Sequence, residues 1–382
     1  MYVCFAAVAV LILYYLQFYI YKKKWNSNLK IEIFFKNSDA YEGEEAELTQ
    51  IVENAKWLPL PMVKTKLQLS RDLIFKERDN TVVSDYFNRT DVFTIGSFQK
   101  ITRSMKFLCS KRGFYRIKSA DVLSTDVFFT RDFVDSITSD SFMYVFPKPY
   151  DPKKMEPLYN EINGPILTKN NLVEDPFELK GIREYQTYDS FKNINWKASA
   201  KTDDLMVNVR DYTSKRTIDV YLNLESNTAL KYDELSELCI SMAIAAITYY
   251  CKMSIPVSVH ANTKDILNDS PIWLDYGSSD TFIKSANCAF ARIDLAKDCY
   301  KFADLFLKKR EKESDTDSFM IFFSPNMQDD FQSLLLELKK NEKDFLWVCP
   351  SYKEIKLEVN ETLKKNTVEI DAKEALYEIS LY

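Results

Sequence analysis

The stretch from Phe177 to Val207 concentrates the groups best suited to recognition or chemistry. Arg183, Lys192, Lys197 and Lys201 interleave there with Glu184, Asp189, Asp203 and Asp204, and Tyr185 and Trp196 lie among them. Arg, Tyr and Trp dominate binding hot spots, so one reading is a recognition surface. The other is a charge-paired strap that packs Tyr185 and Trp196 against a sheet and fixes an inter-domain angle, because partly buried ion pairs set geometry while adding little stability. Catalysis has less to draw on. His260, the single histidine, stands at the end of a strand-like run without a recognisable partner, so general-base chemistry has one candidate. There is no Gly-x-Ser-x-Gly elbow, Walker loop or His-Glu-x-x-His helix. The pairs Glu174-Asp175 and Asp203-Asp204 read as solvated loop charges.

The elements that position these groups follow from composition and periodicity. A chain of 382 residues exceeds the usual size of a single core, which favours two folded units. Its 46% hydrophobic and 28% charged content is that of a globular protein. Only 6 glycines leave little room for phosphate-cradling loops. A net charge of −5 gives no sequence-wide electrostatic reason to bind nucleic acid. Cys4, Cys109, Cys239, Cys251, Cys288, Cys299 and Cys349 are odd in number and lack Cys-x-x-Cys spacing, so they read as reduced thiols rather than a disulfide frame or zinc site.

From Tyr2 to Tyr21 there is no charge, and only Gln17 is strongly polar. About twenty such residues at ~1.5 Å each cover a hydrocarbon core of ~30 Å. Lys22, Lys23, Lys24 and Trp25 follow at once. A retained anchor is expected rather than a cleaved signal, since nothing basic precedes the run and no small-residue cleavage site follows it. The lysines predict a single-pass protein of the cell membrane with its N-terminus outside and its globular part cytoplasmic.

Short alternating runs then succeed one another: Ile31 to Phe35, Ala46 to Val52, Val63 to Leu69, Val92 to Phe98, Ser104 to Leu108, Gly113 to Ile117 and Met143 to Phe146. Close spacing without helical patterns predicts an antiparallel β-sandwich over 29–148. Pro147, Pro149, Pro152 and Pro157 open a connector over 149–202, expected to be polar and irregular through Gly164 and Pro165. Over 203–382 strands alternate with helices. Strands are expected at Thr217 to Leu222, Ile255 to Val259, Phe319 to Phe323 and Phe345 to Val348, and helices at Asp233 to Met253, Thr281 to Arg292, Asp298 to Lys312 and Met327 to Lys340. That texture predicts an α/β unit with a mostly parallel sheet, and a multidomain α+β chain as a whole.

The segment after Phe177 resembles the signature of the bacterial domain-of-unknown-function 58 family: Gly-x-Arg-Glu-Tyr, then Gly-Asp, then Arg-x-Ile-Asn/Asp-Trp-Lys-x-Ser/Thr-Ala-Arg. Gly181, Arg183, Glu184, Tyr185, Asp189, Ile194, Asn195, Trp196, Lys197, Ser199 and Ala200 match. Tyr188 replaces the family's Gly, and Lys192 and Lys201 replace Arg. Upstream, Gly43-Glu44, Asn54, Leu58-Pro59-Leu60, Arg112-Gly113-Phe114-Tyr115 and Asp126-Val127-Phe128 are similar to motifs of the family's β-domain. The resemblance implies a membrane anchor over 1–24, a β-sandwich and a von Willebrand factor A-like domain, often found alongside MoxR-type AAA+ ATPases. In such domains a divalent metal sits at Asp-x-Ser-x-Ser after the first strand. Here that position reads Asn223-Leu224-Glu225-Ser226-Asn227, and Ser324-Pro325-Asn326 follows a later strand, so a degenerate site with at most weak Mg²⁺ binding is expected. Two functions are open: a membrane-bound binding or scaffold protein serving an AAA+ ATPase or client proteins in envelope-related assembly, and a hydrolase with an unrecognised carboxylate site.

Overall fold

The uncharged N-terminal run forms helix α1, Tyr2–Lys24. The computed structural model describes residues 2–76, 81–83, 86–170, 179–186, 191–202, 204–210, 217–225, 233–312, 318–352 and 358–373. Cys4–Lys24 is long and apolar enough to cross a membrane, a test that a signal sequence also passes. The chain divides into two units, Met1–Lys148 with Phe290–Arg292, and Pro149–Ala289 with Ile293–Tyr382.

In the first unit α1 is followed by β1 (Leu29–Phe35), β2 (Asp39–Tyr41), β3 (Glu45–Asn54), β4 (Leu60–Ser70) and β5 (Leu73–Phe75). Then come β6 (Thr81–Val83), β7 (Tyr86–Ile95), β8 (Gln99–Cys109), β9 (Gly113–Thr125) and β10 (Asp132–Phe146). They form two sheets, ordered β1-β3-β8-β5 and β2-β10-β9-β4-β7-β6. Alternate residues point inward, as the pleat demands. Ile33, Leu48 and Phe107 from one sheet meet Leu67, Phe87, Ile117 and Val145 from the other. Each such side chain contributes about 1.5–3 kcal/mol by leaving water. A second core, nearer α1, joins Tyr21 and Trp25 to Val52, Leu60, Phe93 and Ile95. The run expected as a strand through Phe98 stops at Ile95, and Phe98 occupies a turn at φ +52°.

The second unit holds α2 (Pro152–Asn170), β11 (Leu179–Glu184), α3 (Trp196–Thr202), β12 (Met206–Arg210), β13 (Ile218–Leu222), α4 (Asp233–Lys252) and β14 (Val257–Lys264). It continues with β15 (Pro271–Gly277), α5 (Asp280–Ala291), α6 (Phe302–Lys312), β16 (Phe319–Phe323), α7 (Asp329–Lys340), β17 (Phe345–Ser351) and β18 (Thr367–Asp371). Its main sheet runs β15-β14-β13-β16-β17-β18, parallel except for the antiparallel edge strand β15. Every residue of β13 and β16 is buried, as a sheet covered on both faces requires. Tyr221, Phe322 and Trp347 share a core with Phe302 and Phe306 of α6 and Phe331 and Leu335 of α7, and α4 packs against β13, β16 and β17.

Two expectations change here. The first part of the 149–202 connector is helical rather than irregular: Pro152 starts α2, where its missing N–H has no intrahelical role, and Met155, Leu158, Tyr159 and Ile162 are buried. Tyr159 stacks on Tyr249 of α4 with ring centroids 3.8 Å apart. The strand expected to end at His260 continues to Lys264, and His260 and Asn262 are buried within it. Cys109, Cys239, Cys251 and Cys349 are buried free thiols.

Candidate functional site

The signature segment folds as a small hairpin braced by a short helix. Gly181, Arg183 and Glu184 lie on β11, which pairs antiparallel with β12 in the register Gly181↔Val209, Arg183↔Val207 and Glu184↔Met206. Tyr185 follows β11, and Lys192 sits in the 3₁₀ turn Phe191–Asn193. Asn195 precedes α3, which carries Trp196, Lys197 and Lys201. Asp189 and Asp203 lie outside the described residues, as do Glu174 and Asp175.

Hydrogen bonds separate the scaffolding residues from the presented ones. The Asn195 carboxamide oxygen accepts the Ala198 N–H at 3.0 Å, an N-cap, and its Nδ2 donates to Asn208 Oδ1 at 2.7 Å. Ser199 Oγ donates to the Asn195 carbonyl at 2.9 Å and accepts the Met206 N–H at 2.8 Å. Ile194 bridges to Val207, and both are buried. Arg183 donates to the Glu184 carbonyl at 3.0 Å. Trp196 does not pack against a sheet as the strap reading expects. It opens a helix with no buried residue and is 67% exposed. Phe191 is 72% exposed, its ring 5.8 Å from that of half-buried Tyr185. Ile182 and Leu205 are also exposed.

Asn223 and Ser324, where the resemblance implies a metal position, follow the carboxyl ends of β13 and β16, where the strand order reverses and open sheets take ligands. Asn223 Oδ1 accepts Asn262 Nδ2 at 2.9 Å and the Glu225 N–H at 3.1 Å. Asn262 Oδ1 accepts the Leu224 N–H at 3.0 Å, and Ser324 Oγ accepts the Asn326 N–H at 3.1 Å. The Asn223 oxygen therefore already accepts two donors from the protein. Burial pushes the half-buried Glu225 carboxyl up; the Phe302 N–H and Lys301 oppose this, and Asp330 and Asp304 reinforce it. Asn227 lies outside the described residues, among which no three His, Cys, Asp or Glu side chains gather as a metal site.

A buried polar network in the same unit was not foreseen. Asp219 on β13 accepts from Tyr276 at 2.7 Å, from Ser318 at 2.6 Å and from Ser258, and pairs with Lys309 of α6 at 3.3 Å. Lys309 Nζ lies 2.6 Å from His260 Nε2, so a charged lysine makes Nε2 the acceptor and leaves the ring proton on Nδ1. Burial, helped by the Lys309 charge and opposed by Asp219, holds His260 down at about 3. A neutral imidazole of that basicity is a poor general base near neutral pH. Burial pushes Asp219 up, but Lys309 and the three hydroxyls outweigh it and leave its carboxyl below the usual range. A cavity of about 20 Å³ lies beside His260, Lys309 and Trp273. The sequence signal was the alternation Val257, Val259, Ala261 against Ser258, His260, Asn262, two faces of one strand.

No protein-family model matches the chain, and no curated protein matches its sequence. Solved structures similar to part of it include a non-cellulosomal cohesin from Archaeoglobus fulgidus, 12% identical over 30% of this chain and 91% of that one, with TM-score 0.21. A CARDB domain from Pyrococcus furiosus is 10% identical over 29% of this chain and 93% of that one, with TM-score 0.19. The major pilin SpaD of Corynebacterium diphtheriae is 13% identical over 29% and 34% respectively, with TM-score 0.22. Likenesses at this level carry no functional argument.

Proposed function

We propose that the chain is a membrane-anchored binding protein whose signature hairpin engages a MoxR-type AAA+ ATPase or a client protein on the cytoplasmic side. The observation that carries this reading is the exposure of Trp196 and Phe191 on a scaffold whose own polar groups are hydrogen-bonded inward. Large aromatic side chains held in water by a bonded framework mark interaction sites. Retention of α1 is supported by Tyr21 and Trp25, which belong to the sandwich core, so cleavage would open that core. Lys22 to Lys24 favour an N-terminus outside. The resemblance to the domain-of-unknown-function 58 family, with a von Willebrand factor A-like second unit, supports the ATPase as partner.

The test is capture of a MoxR-type ATPase by the full chain in nanodiscs. A hot-spot role predicts that Trp196→Ala weakens capture about 30-fold or more, corresponding to about 2 kcal/mol. Capture unchanged by Trp196→Ala, Phe191→Ala and Arg183→Ala rejects the hairpin as the contact. The second reading, a hydrolase, rests on Glu225, whose raised carboxyl sits where the sheet takes ligands. Turnover of an ester or peptide panel that is lost in Glu225→Gln would favour it.

A further inference from the structure

We propose that the α1 end of the β-sandwich is a second membrane contact, its three turns at 56–59, 96–98 and 126–131 seated in the bilayer interface beside α1. This rests on reading α1 as a membrane span. The register of the sheets places these turns together: Leu29 pairs with Asn54, Asn54 with Gln99, Leu60 with Ile95, and Thr125 with Asp132. The tips are aromatic and exposed. Trp57 is 56% exposed, Phe98 73%, Phe128 59% and Phe129 60%, with Val127 beside them. Phe98 and Phe129 hold φ of +52° and +56°, where a bulky side chain is sterically disfavoured, so both turns present their rings against the local preference. The opposite end of the sandwich differs. Its turns carry Glu42, Glu44, Arg71, Asp72, Lys111 and Arg112.

The occupant follows from continuity with α1. The Phe128 ring lies 6.0 Å from that of Tyr14, and the Tyr14 hydroxyl donates to Thr130 Oγ1 at 3.2 Å. Tyr14 is eight residues before Lys22, about 12 Å along the helix toward the apolar end. A bilayer that covers the uncharged run of α1 therefore reaches the 126–131 turn as well. The Asp126 carboxylate at that depth is paired within the protein, as lipid demands. Asp126 accepts the Thr130 N–H at 2.7 Å, the Thr130 hydroxyl at 2.5 Å and Gln17 Nε2 at 3.1 Å. Arg131, its guanidinium 5.1 Å from the Phe18 ring, and Lys22 to Lys24 supply positive charge for anionic headgroups.

The experiment uses the full chain in vesicles of three parts phosphatidylcholine to one part phosphatidylglycerol, with Cys4, Cys288 and Cys299 changed to Ser. An environment-sensitive fluorophore is placed at Val127→Cys or, as the far-end control, at Lys111→Cys. The expected result is at least twofold quenching at 127 by shallow nitroxide-labelled lipid, none at 111, and the reverse order for aqueous iodide. Equal quenching at the two positions, in chains that resist alkaline carbonate extraction, overturns the second contact while leaving the span intact. Release by carbonate overturns the span and the contact together. Phe128→Ser with Phe129→Gly, in chains whose circular dichroism matches the parent, should lower quenching at 127 to the control level; unchanged quenching also overturns the role of the rings.

Discussion

Asp91 in the sandwich and Asp219 in the α/β unit are both almost fully buried, yet they are neutralised differently. Asp91 takes Arg89 Nε at 3.0 Å from its own strand, and Arg103 at 3.0 Å and Gln50 at 2.9 Å from the facing sheet, so it ties the two sheets together. Arg103 keeps a side chain 41% exposed and can relax toward water. Asp219 has one buried ammonium and three hydroxyls from β14, β15 and the residue before β16, next to a neutral imidazole. Ion pairs shut away from solvent gain more from each other and lose more when broken. The sandwich link thus has one partner, Arg103, that can relax toward water beside the buried Arg89, and the α/β link has none.

The largest effect is expected from Asp219→Ala, which strands Lys309 and three hydroxyl donors: about 5 kcal/mol, read as faster hydrogen exchange in β13. Pairing Asp219→Leu with Lys309→Met should recover most of it; a single-variant loss below about 1 kcal/mol would erase the contrast. Asp91→Ala should cost about 3 kcal/mol in the exchange of β8, because Arg89 is left buried without its carboxylate while Arg103 can turn outward.

Acid sharpens the comparison further. His260 is neutral when folded, held at about 3, against about 6.5 when unfolded. Between these values the unfolded chain binds a proton that the folded chain refuses, so the α/β unit loses stability as pH falls through this window, by up to about 1.4 kcal/mol per pH unit. His260→Phe should flatten that slope, while the sandwich, which has no histidine, stays level until its carboxylates titrate. The depressed Asp219 acts in the same sense lower down: its contribution is present above the ordinary carboxylate value and disappears as pH falls through its folded one.

The smallest effect concerns Lys56, buried in the sandwich with no hydrogen-bond partner for its ammonium, and lowered by burial to about 8. From about 8 to the unfolded value the unfolded chain holds the extra proton, so sandwich stability rises with pH there. Lys56→Met should raise the melting temperature at neutral pH by about 2–4 °C for each kcal/mol relieved.

The fold was legible where burial is continuous. Ile218–Leu222 and Phe319–Phe323 are apolar runs buried on both faces, and α4 carries an apolar stripe. Edge strands were not. β15 is bounded by Pro271 and Gly277, and β18 is only partly buried, so neither shows a strand's pattern. Helix α2 was hidden by Pro157, Gly164 and Pro165, which break its periodicity without ending it. The hairpin residues were found, but not which way they face, because exposure of Trp196 depends on Asn195 and Ser199 bonding to β12, a contact between separated positions. The Asp219 network was invisible for the same reason, since its members come from five places in the chain.

Buried cysteines give each unit its own clock. Cys109 in β8 and Cys239 in α4 are free, and burial pushes Cys109 to about 11 and Cys239 well above the ordinary thiol value. The thiolate is the form that alkylates, so reagent waits for the surrounding structure to open. The rate at Cys109 then times opening of the sandwich, and the rate at Cys239 times opening of the α/β unit, within a single unmodified chain.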